Sequence, residues 1–157
     1  MIPNGRAFDG KESIVYEGKK YSRWYYVDRT GDYQLRFKII FTKSSYKQGI
    51  ALFFWDFVGT VSLNQKELKN LKGFQHYAFW QDEISNGEFA LDVHLESGKL
   101  TLGNLSLDEQ GVSHCGEPCC AFWIENLAKN HLRFHCNDHE ADDDFDDMIL
   151  DLEYVKV

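Results

Sequence analysis

Apolar and polar residues alternate along much of the chain, and this pattern predicts β-strands. Apolar side chains occupy every second position within residues 33–41, 88–96, 132–136 and 150–154, with mostly charged residues between them. Because successive side chains of a strand point to opposite faces, such segments are typical of strands with one buried face. We expect the odd-numbered residues of the first two segments to face the core.

Other segments extend the predicted β-structure. Residues 50–58 are apolar on both faces, which indicates a central strand. Further strand candidates are residues 21–28, 75–80, 99–102 and 119–125. Turn-forming residues at 28–32, 85–87 and 97–98 separate the alternating runs at the spacing of hairpins.

One short helix is predicted over about residues 64–72. Asn64 can cap its first turn, and Glu67 follows three residues later as in a capping box. Leu68 and Leu71 give the segment a narrow apolar stripe. We therefore predict a mostly β protein, either an antiparallel β-sandwich or a curled sheet with one short helix, forming a single domain over residues 1–157.

Aromatic residues are abundant, with 12 Phe, 8 Tyr and 4 Trp. Neighbouring aromatics such as Phe53, Phe54 and Trp55 must face opposite sides of a strand. We expect most of them to be buried in the core. Those that are exposed would form a sugar platform or a protein-binding hot spot.

Two features that this sequence lacks bear on the cellular compartment of the protein. The N-terminal residues do not resemble a secretory signal, and no apolar stretch has the length of a membrane span. The four cysteines are therefore expected to be free thiols of a cytoplasmic protein rather than a disulfide framework.

Charge is divided unevenly between the two halves of the chain. Residues 1–79 carry 13 Lys and Arg against 7 Asp and Glu, whereas residues 80–157 carry 4 against 18. Most of the acidic excess lies in residues 138–147, followed by Asp151 and Glu153. A net charge of −8 disfavours nucleic acids and anionic membranes as partners. The acidic run itself predicts a solvated loop, a cation site or a surface for a basic partner.

A calcium loop is only partly matched within the acidic run. Asp142, Asp144 and Asp146 occupy positions 1, 3 and 5 of the loop pattern, and Glu153 occupies position 12. Asp147 stands at position 6, where the sharp turn requires glycine. We expect calcium binding to be weak at most.

Cysteine and histidine residues form a candidate zinc site, because thiolate and imidazole are the ligands that zinc prefers. The candidates are His114, Cys115, Cys119, Cys120, His131, His135, Cys136 and His139. His135 and Cys136 are adjacent, so on a strand they point to opposite faces. We therefore expect no stoichiometric zinc, and we expect Cys120 and Cys136 to be small core residues.

Catalytic motifs are not recognisable in this sequence. It contains no nucleophile elbow and no glycine-rich phosphate loop, so we predict no catalytic residues, no cofactor and no enzymatic activity. We instead predict that a basic protein partner is bound by the acidic side chains Asp138, Glu140, Asp142, Asp143, Asp144, Asp146, Asp147, Asp151 and Glu153.

The overall profile of the chain, which is short, acidic, rich in strands and without a recognisable signal, resembles bacterial immunity proteins such as those of contact-dependent growth inhibition. This resemblance implies a non-enzymatic protein that binds and neutralises a basic toxin domain. A nuclease domain is the natural candidate, because its substrate groove must be positive to hold phosphates. The first alternative is a β-sandwich module that binds a small ligand, for instance a sugar, with Ca²⁺ in the acidic loop. The second is a metal-binding or catalytic domain built on Cys115, Cys119 and the histidines.

Overall fold

A computed structural model describes residues 12–27, 29–115, 120–137 and 147–156. These residues form one antiparallel sheet of 12 strands, which confirms a mostly β fold of the curled-sheet type. The strands are β1 (Ser13–Tyr16), β2 (Lys19–Ser22), β3 (Tyr25–Tyr26), β4 (Gly31–Thr42), β5 (Gln48–Leu63), β6 (Lys66–Glu67), β7 (Phe74–Trp80), β8 (Glu88–Leu107), β9 (Ser113–His114), β10 (Phe122–Ala128), β11 (His131–Cys136) and β12 (Met148–Lys156).

Two long strands organise the sheet. The main strand order is β1-β2-β10-β11-β12-β4-β8-β5-β6. The first part of β8 pairs with β4, whereas its later part pairs with β3 and β9. β5 pairs along its first half with both β7 and β8, which confirms the central strand predicted at residues 50–58. The neighbours of β8 on the side away from β5 therefore change midway along the strand.

A bulge lies where β5 and β8 bend. The register between the two strands shifts between Trp55 and Gly59, opposite Gly98. Gly98 has a φ of 91°, and a Cβ added there would lie 2.3 Å from the carbonyl oxygen of Asp56. Residues 97–98, predicted as a hairpin turn, therefore lie inside β8. Gly98 allows the two bulged strands to approach each other closely and does not reverse the direction of the chain.

The core lies on the face that the alternating pattern predicted. The odd-numbered residues are buried over 33–37 in β4 and over 89–95 in β8, among them Leu35, Phe37 and Leu91. Phe41 departs from the pattern and is 48% exposed. Leu150 pairs with Ile39 and Ile149 pairs with Phe41, so Ile40 is an extra residue that shifts the phase of the strand.

The helix predicted over residues 64–72 is wrong. Asn64 and Gln65 have φ values of 46° and 71°, and they form the two-residue turn between β5 and β6. Positive φ at both central positions is typical of a hairpin turn that matches the twist of its strands. The side chain of Asn64 accepts a hydrogen bond from the N–H of Ala90 at 2.9 Å instead of capping a helix.

Within the described ranges there is no helix long and apolar enough to cross a membrane.

Candidate functional site

The oppositely charged halves of the chain meet side by side in the sheet. β4, from the basic half, lies between β12 and β8, which both come from the acidic half. On the outer face, Arg36 stands opposite Glu153, and Lys38 stands between Asp151 and Glu88. Opposite charges in directly facing positions stabilise neighbouring strands. The division of charge along the sequence therefore becomes local neutralisation in the fold.

Asp151 is the most fully paired carboxylate of this face. Arg133 donates to it through Nε at 2.7 Å and through Nη2 at 3.0 Å, and Nε2 of His131 lies 3.2 Å away. Burial alone would raise the pKa of Asp151, but the hydrogen bonds from Arg133 and His131 outweigh it and hold that pKa below its ordinary value. Asp151 is therefore ionised and satisfied within the chain.

A shallow groove of about 610 Å³ runs over this charged face. Its lining includes Arg36, Lys38, Glu88, His131 and Glu153, so side chains of both charges border it. Lys38 and Glu88 are 3.5 Å apart and both are well exposed. Ion pairs of this kind contribute little to stability, because water screens them.

The acidic run divides into two groups in the structure. Six of the predicted residues lie outside the described part of the chain: Asp138, Glu140, Asp142, Asp143, Asp144 and Asp146. Three of these six are positions 1, 3 and 5 of the calcium pattern. Asp147 is only 4% exposed, although it was predicted as a partner-binding residue, and Asp151 is only 9% exposed. Glu153 is exposed on β12, so it is the one described member of the predicted set whose side chain is open to solvent.

Asn137 and Asp147 flank residues 138–146, here called the acidic connection, and hydrogen bonds hold both flanking residues in place. The N–H of Asp147 donates to the carbonyl of Cys136 at 3.1 Å, and its carbonyl accepts the N–H of Lys43 at 3.0 Å. At the other end, the buried carbonyl of Asn137 accepts the side-chain amide of Asn104 at 2.6 Å. The acidic connection therefore joins β11 to β12 between two ends that are held in the sheet.

Most of the net charge belongs to the acidic connection. The described residues contain 15 Lys and Arg against 16 Asp and Glu, a net charge of −1. The acidic connection contains six Asp and Glu and neither Lys nor Arg, out of a net −8 for the whole chain. The folded sheet is thus close to neutral, and the surplus is concentrated in one connection.

The described members of the candidate zinc site face different partners. His114 lies 2.8 Å from Asp108, whereas His135 lies 3.0 Å from Glu125 and stacks on Trp123 with centroids 3.9 Å apart. Cys119 and His139 lie outside the described ranges. Across the residues that are described, no three His, Cys, Asp or Glu side chains converge as metal ligands would.

Two of the cysteines lie in the core. Cys120 and Cys136 are buried, which confirms that both are small core residues. Burial raises the pKa of the Cys136 thiol far above its ordinary value, and the nearby charge of Asp147 raises it further. A thiol that stays protonated is a poor nucleophile and a poor metal ligand.

An outward-facing aromatic cluster lies on the other half of the sheet and was not predicted as a unit. It consists of Tyr26, Phe53, Trp55, Phe74 and His76, here called the aromatic face. The alternation of aromatics does hold, because Phe54 is buried whereas Trp55 is exposed. Phe74 was missed, because only the pairing of β7 with β5 places it opposite Trp55.

Comparison with known proteins adds no further information about this site. No protein-family model, curated protein or solved structure matches the chain.

Proposed function

We propose that this protein is a non-enzymatic interaction protein that binds a basic protein partner through the acidic connection. The observation that supports this proposal is the concentration of charge: the described residues carry a net −1, while residues 138–146 carry six carboxylates. A strong field from one segment of an otherwise balanced surface steers an oppositely charged partner to that segment.

The partner in this proposal is a nuclease-type toxin domain, and the protein acts as its immunity protein in the bacterial cytoplasm. A nuclease must present a positive groove in order to hold phosphates. An acidic connection that enters or covers this groove competes directly with the nucleic acid. The resemblance in overall profile to immunity proteins supports the same partner class.

The predicted acidic residues take two different roles in this proposal. Direct contacts are assigned to the six acidic residues of the acidic connection and to Glu153, which is exposed on β12. Asp147 and Asp151 are buried, and the latter is paired with Arg133. These two residues position the strand that follows the acidic connection rather than contact the partner.

The test compares two variants that lose equal charge. The first replaces Asp142, Asp143, Asp144 and Asp146 with Asn. The matched control replaces four exposed carboxylates elsewhere with Gln: Glu17, Glu67, Glu83 and Glu96. Association with purified nuclease toxin domains is measured by stopped-flow fluorescence at low and high salt.

We expect at least one toxin domain to bind the wild-type protein and to lose nuclease activity. At low salt its association rate should fall by about tenfold or more in the first variant and much less in the control, because steering depends on where the charge lies. Equal rates for the first variant and the wild type at both salts would contradict the docking role of the acidic connection. Binding to none of the toxin domains would contradict the immunity function.

A further inference from the structure

The aromatic face is unusual because large rings are left open to water. Tyr26 is 43% exposed, Trp55 44% and Phe74 51%. These three residues come from three different strands. Trp55 on β5 pairs with Phe74 on β7. In the next row of the sheet, Phe53 lies between His76 and Thr101, and Thr101 in turn pairs with Tyr26 on β3. Contiguous exposed apolar surface of this kind marks interaction sites in soluble proteins.

The rings of the aromatic face are held in place by neighbouring groups. The indole N–H of Trp55 donates to Oγ1 of Thr101 at 3.0 Å, and its ring contacts Phe74 with centroids 4.4 Å apart. Phe53 packs edge-on against Trp24 at 4.8 Å. A ligand that stacks on these rings therefore meets a surface that loses little conformational freedom on binding.

The bulge between β5 and β8 places Asp56 beside Trp55 in the lining of one groove. Asp56 follows Trp55 with a φ of 47°, a conformation that costs free energy for a residue other than glycine. Its N–H donates to the carbonyl of Gly73 at 2.8 Å. Bulges of this kind redirect side chains at binding sites, and here both Trp55 and Asp56 are exposed.

A groove of about 590 Å³ lies beside Trp55. Its lining comprises Glu12, Tyr26, Trp55, Asp56, Gly98 and Lys99. Ligand sites commonly have volumes of about 300–1,000 Å³ and combine aromatic surface with a few polar groups. This groove therefore has the size and composition of a small-molecule site.

We propose that this groove and the aromatic face bind a neutral oligosaccharide, with one sugar ring stacked on Trp55. The proposal does not rest on the basic-partner function. A sugar ring has apolar C–H faces, which suit an exposed aromatic ring, and hydroxyl groups that both donate and accept hydrogen bonds. Asp56 and Glu12 accept such bonds, and Lys99 donates them.

Charge favours a neutral ligand over an ionic one. An anion would face the carboxylates of Glu12 and Asp56, whereas a cation stacked on Trp55 would face Lys99, which is paired with Trp55 across the strands. The Tyr26 hydroxyl already donates to Glu12 at 2.6 Å, so its oxygen remains able to accept a bond from a sugar hydroxyl. Groups of both signs are best satisfied by hydroxyls.

The experiment is a titration of the whole protein with neutral oligosaccharides of glucose, xylose, mannose and N-acetylglucosamine, each of several units. Tryptophan fluorescence and isothermal calorimetry report binding. Trp55→Ala and Phe74→Ala change the aromatic face, and Phe41→Ala is the matched control, since Phe41 is a similarly exposed aromatic that lies outside it. Thermal melting checks that each variant folds.

We expect at least one oligosaccharide to bind with a dissociation constant in the millimolar range or below. Trp55→Ala should weaken this binding by about tenfold or more, Phe74→Ala should weaken it less, and Phe41→Ala should leave it unchanged. Binding of none of these sugars at millimolar concentration would overturn the proposal. Unchanged sugar affinity in a folded Trp55→Ala variant would also overturn it. A wild-type dimer that Trp55→Ala dissociates would overturn it as well, since the aromatic face would then bind a second copy of the chain.

Discussion

Arg133 on β11 and Asp151 on β12 face each other across neighbouring strands and are joined by two hydrogen bonds, of 2.7 and 3.0 Å. Paired donors of a guanidinium match the two oxygens of a carboxylate, which makes this geometry stronger than a single contact. Asp151 is 9% exposed, so water cannot easily replace Arg133 as its partner. This pair ties the strand after the acidic connection to the strand before it.

Asp151→Asn should destabilise the fold by about 1–3 kcal/mol, because it leaves donors of Arg133 and His131 without a charged acceptor in a partly buried place. Urea unfolding at neutral pH measures the change in the free energy of unfolding. Glu88→Gln is the control, since Glu88 is well exposed and lies 3.5 Å from Lys38. It should change stability little. Equal effects of the two substitutions would show that Asp151 contributes no more to the free energy of unfolding than an exposed carboxylate does.

The same carboxylate should produce an acid-dependent loss of stability. The hydrogen bonds from Arg133 and His131 lower the pKa of Asp151 from its ordinary value of 3.8 despite its burial. The stabilisation from Asp151 is therefore complete above pH 3.8 and is lost as the pH falls through the lowered pKa. The difference in unfolding free energy between the wild type and Asp151→Asn should shrink over that range. A constant difference down to the most acidic conditions would be inconsistent with this linkage.

His94 should titrate above its ordinary value. The hydrogen bond to Asp32 at 2.6 Å, followed by the contact with Glu96, raises the pKa of His94 from 6.5. A raised pKa means that the stabilising contribution is present below pH 6.5 and is lost as the pH rises through the pKa of the folded protein. Nuclear magnetic resonance of the His94 ring should show this pKa, and Asp32→Asn should lower it. Glu67→Gln, a charge change two strands away on β6, should move it much less, so an equal response to both would refute the local cause.

Gln65→Gly should stabilise the protein by about 1 kcal/mol, because glycine adopts the positive φ of 71° without the steric cost that Gln65 pays. Lys66→Gly, one residue later in β6, should instead be destabilising, since glycine weakens a strand. Thermal or urea unfolding distinguishes the two signs. A helix over residues 64–72 would be weakened by both substitutions, so a loss of stability in Gln65→Gly would argue for that helix.

Gly98→Ala should be strongly destabilising, by several kcal/mol, because its Cβ would lie 2.3 Å from the carbonyl of Asp56 and the strands would have to separate. Gly31→Ala is the matched control: Gly31 has a similar φ of 85°, but nothing lies within 4 Å of its added Cβ. Only the cost of the left-handed conformation, about 1–2 kcal/mol, should appear there. Equal losses in the two variants would show that the close contact with Asp56 does not matter.

Local patterns were enough to predict the alternating strands and most of their buried faces. The period of two in residues 88–96 and 150–154 determined which side of β8 and β12 is apolar, because a shift of the register by one residue would expose the entire apolar set to water. The same reasoning placed Phe54 inside and left its neighbour Trp55 outside. Burial of Cys136 followed from its place in the alternating segment 132–136.

Pairing between distant strands decided the rest. Residues 64–72 satisfy local rules for a helix. In the fold, however, β5 pairs with β8, and β6 extends the same sheet by pairing with β5 around the turn at Asn64 and Gln65. Opposite charges from the two halves of the chain face each other only because β4 lies between β12 and β8. The aromatic face likewise exists because β7 brings Phe74 beside Trp55. Register between strands far apart in the chain is set by the packing of the whole core, which no local pattern contains.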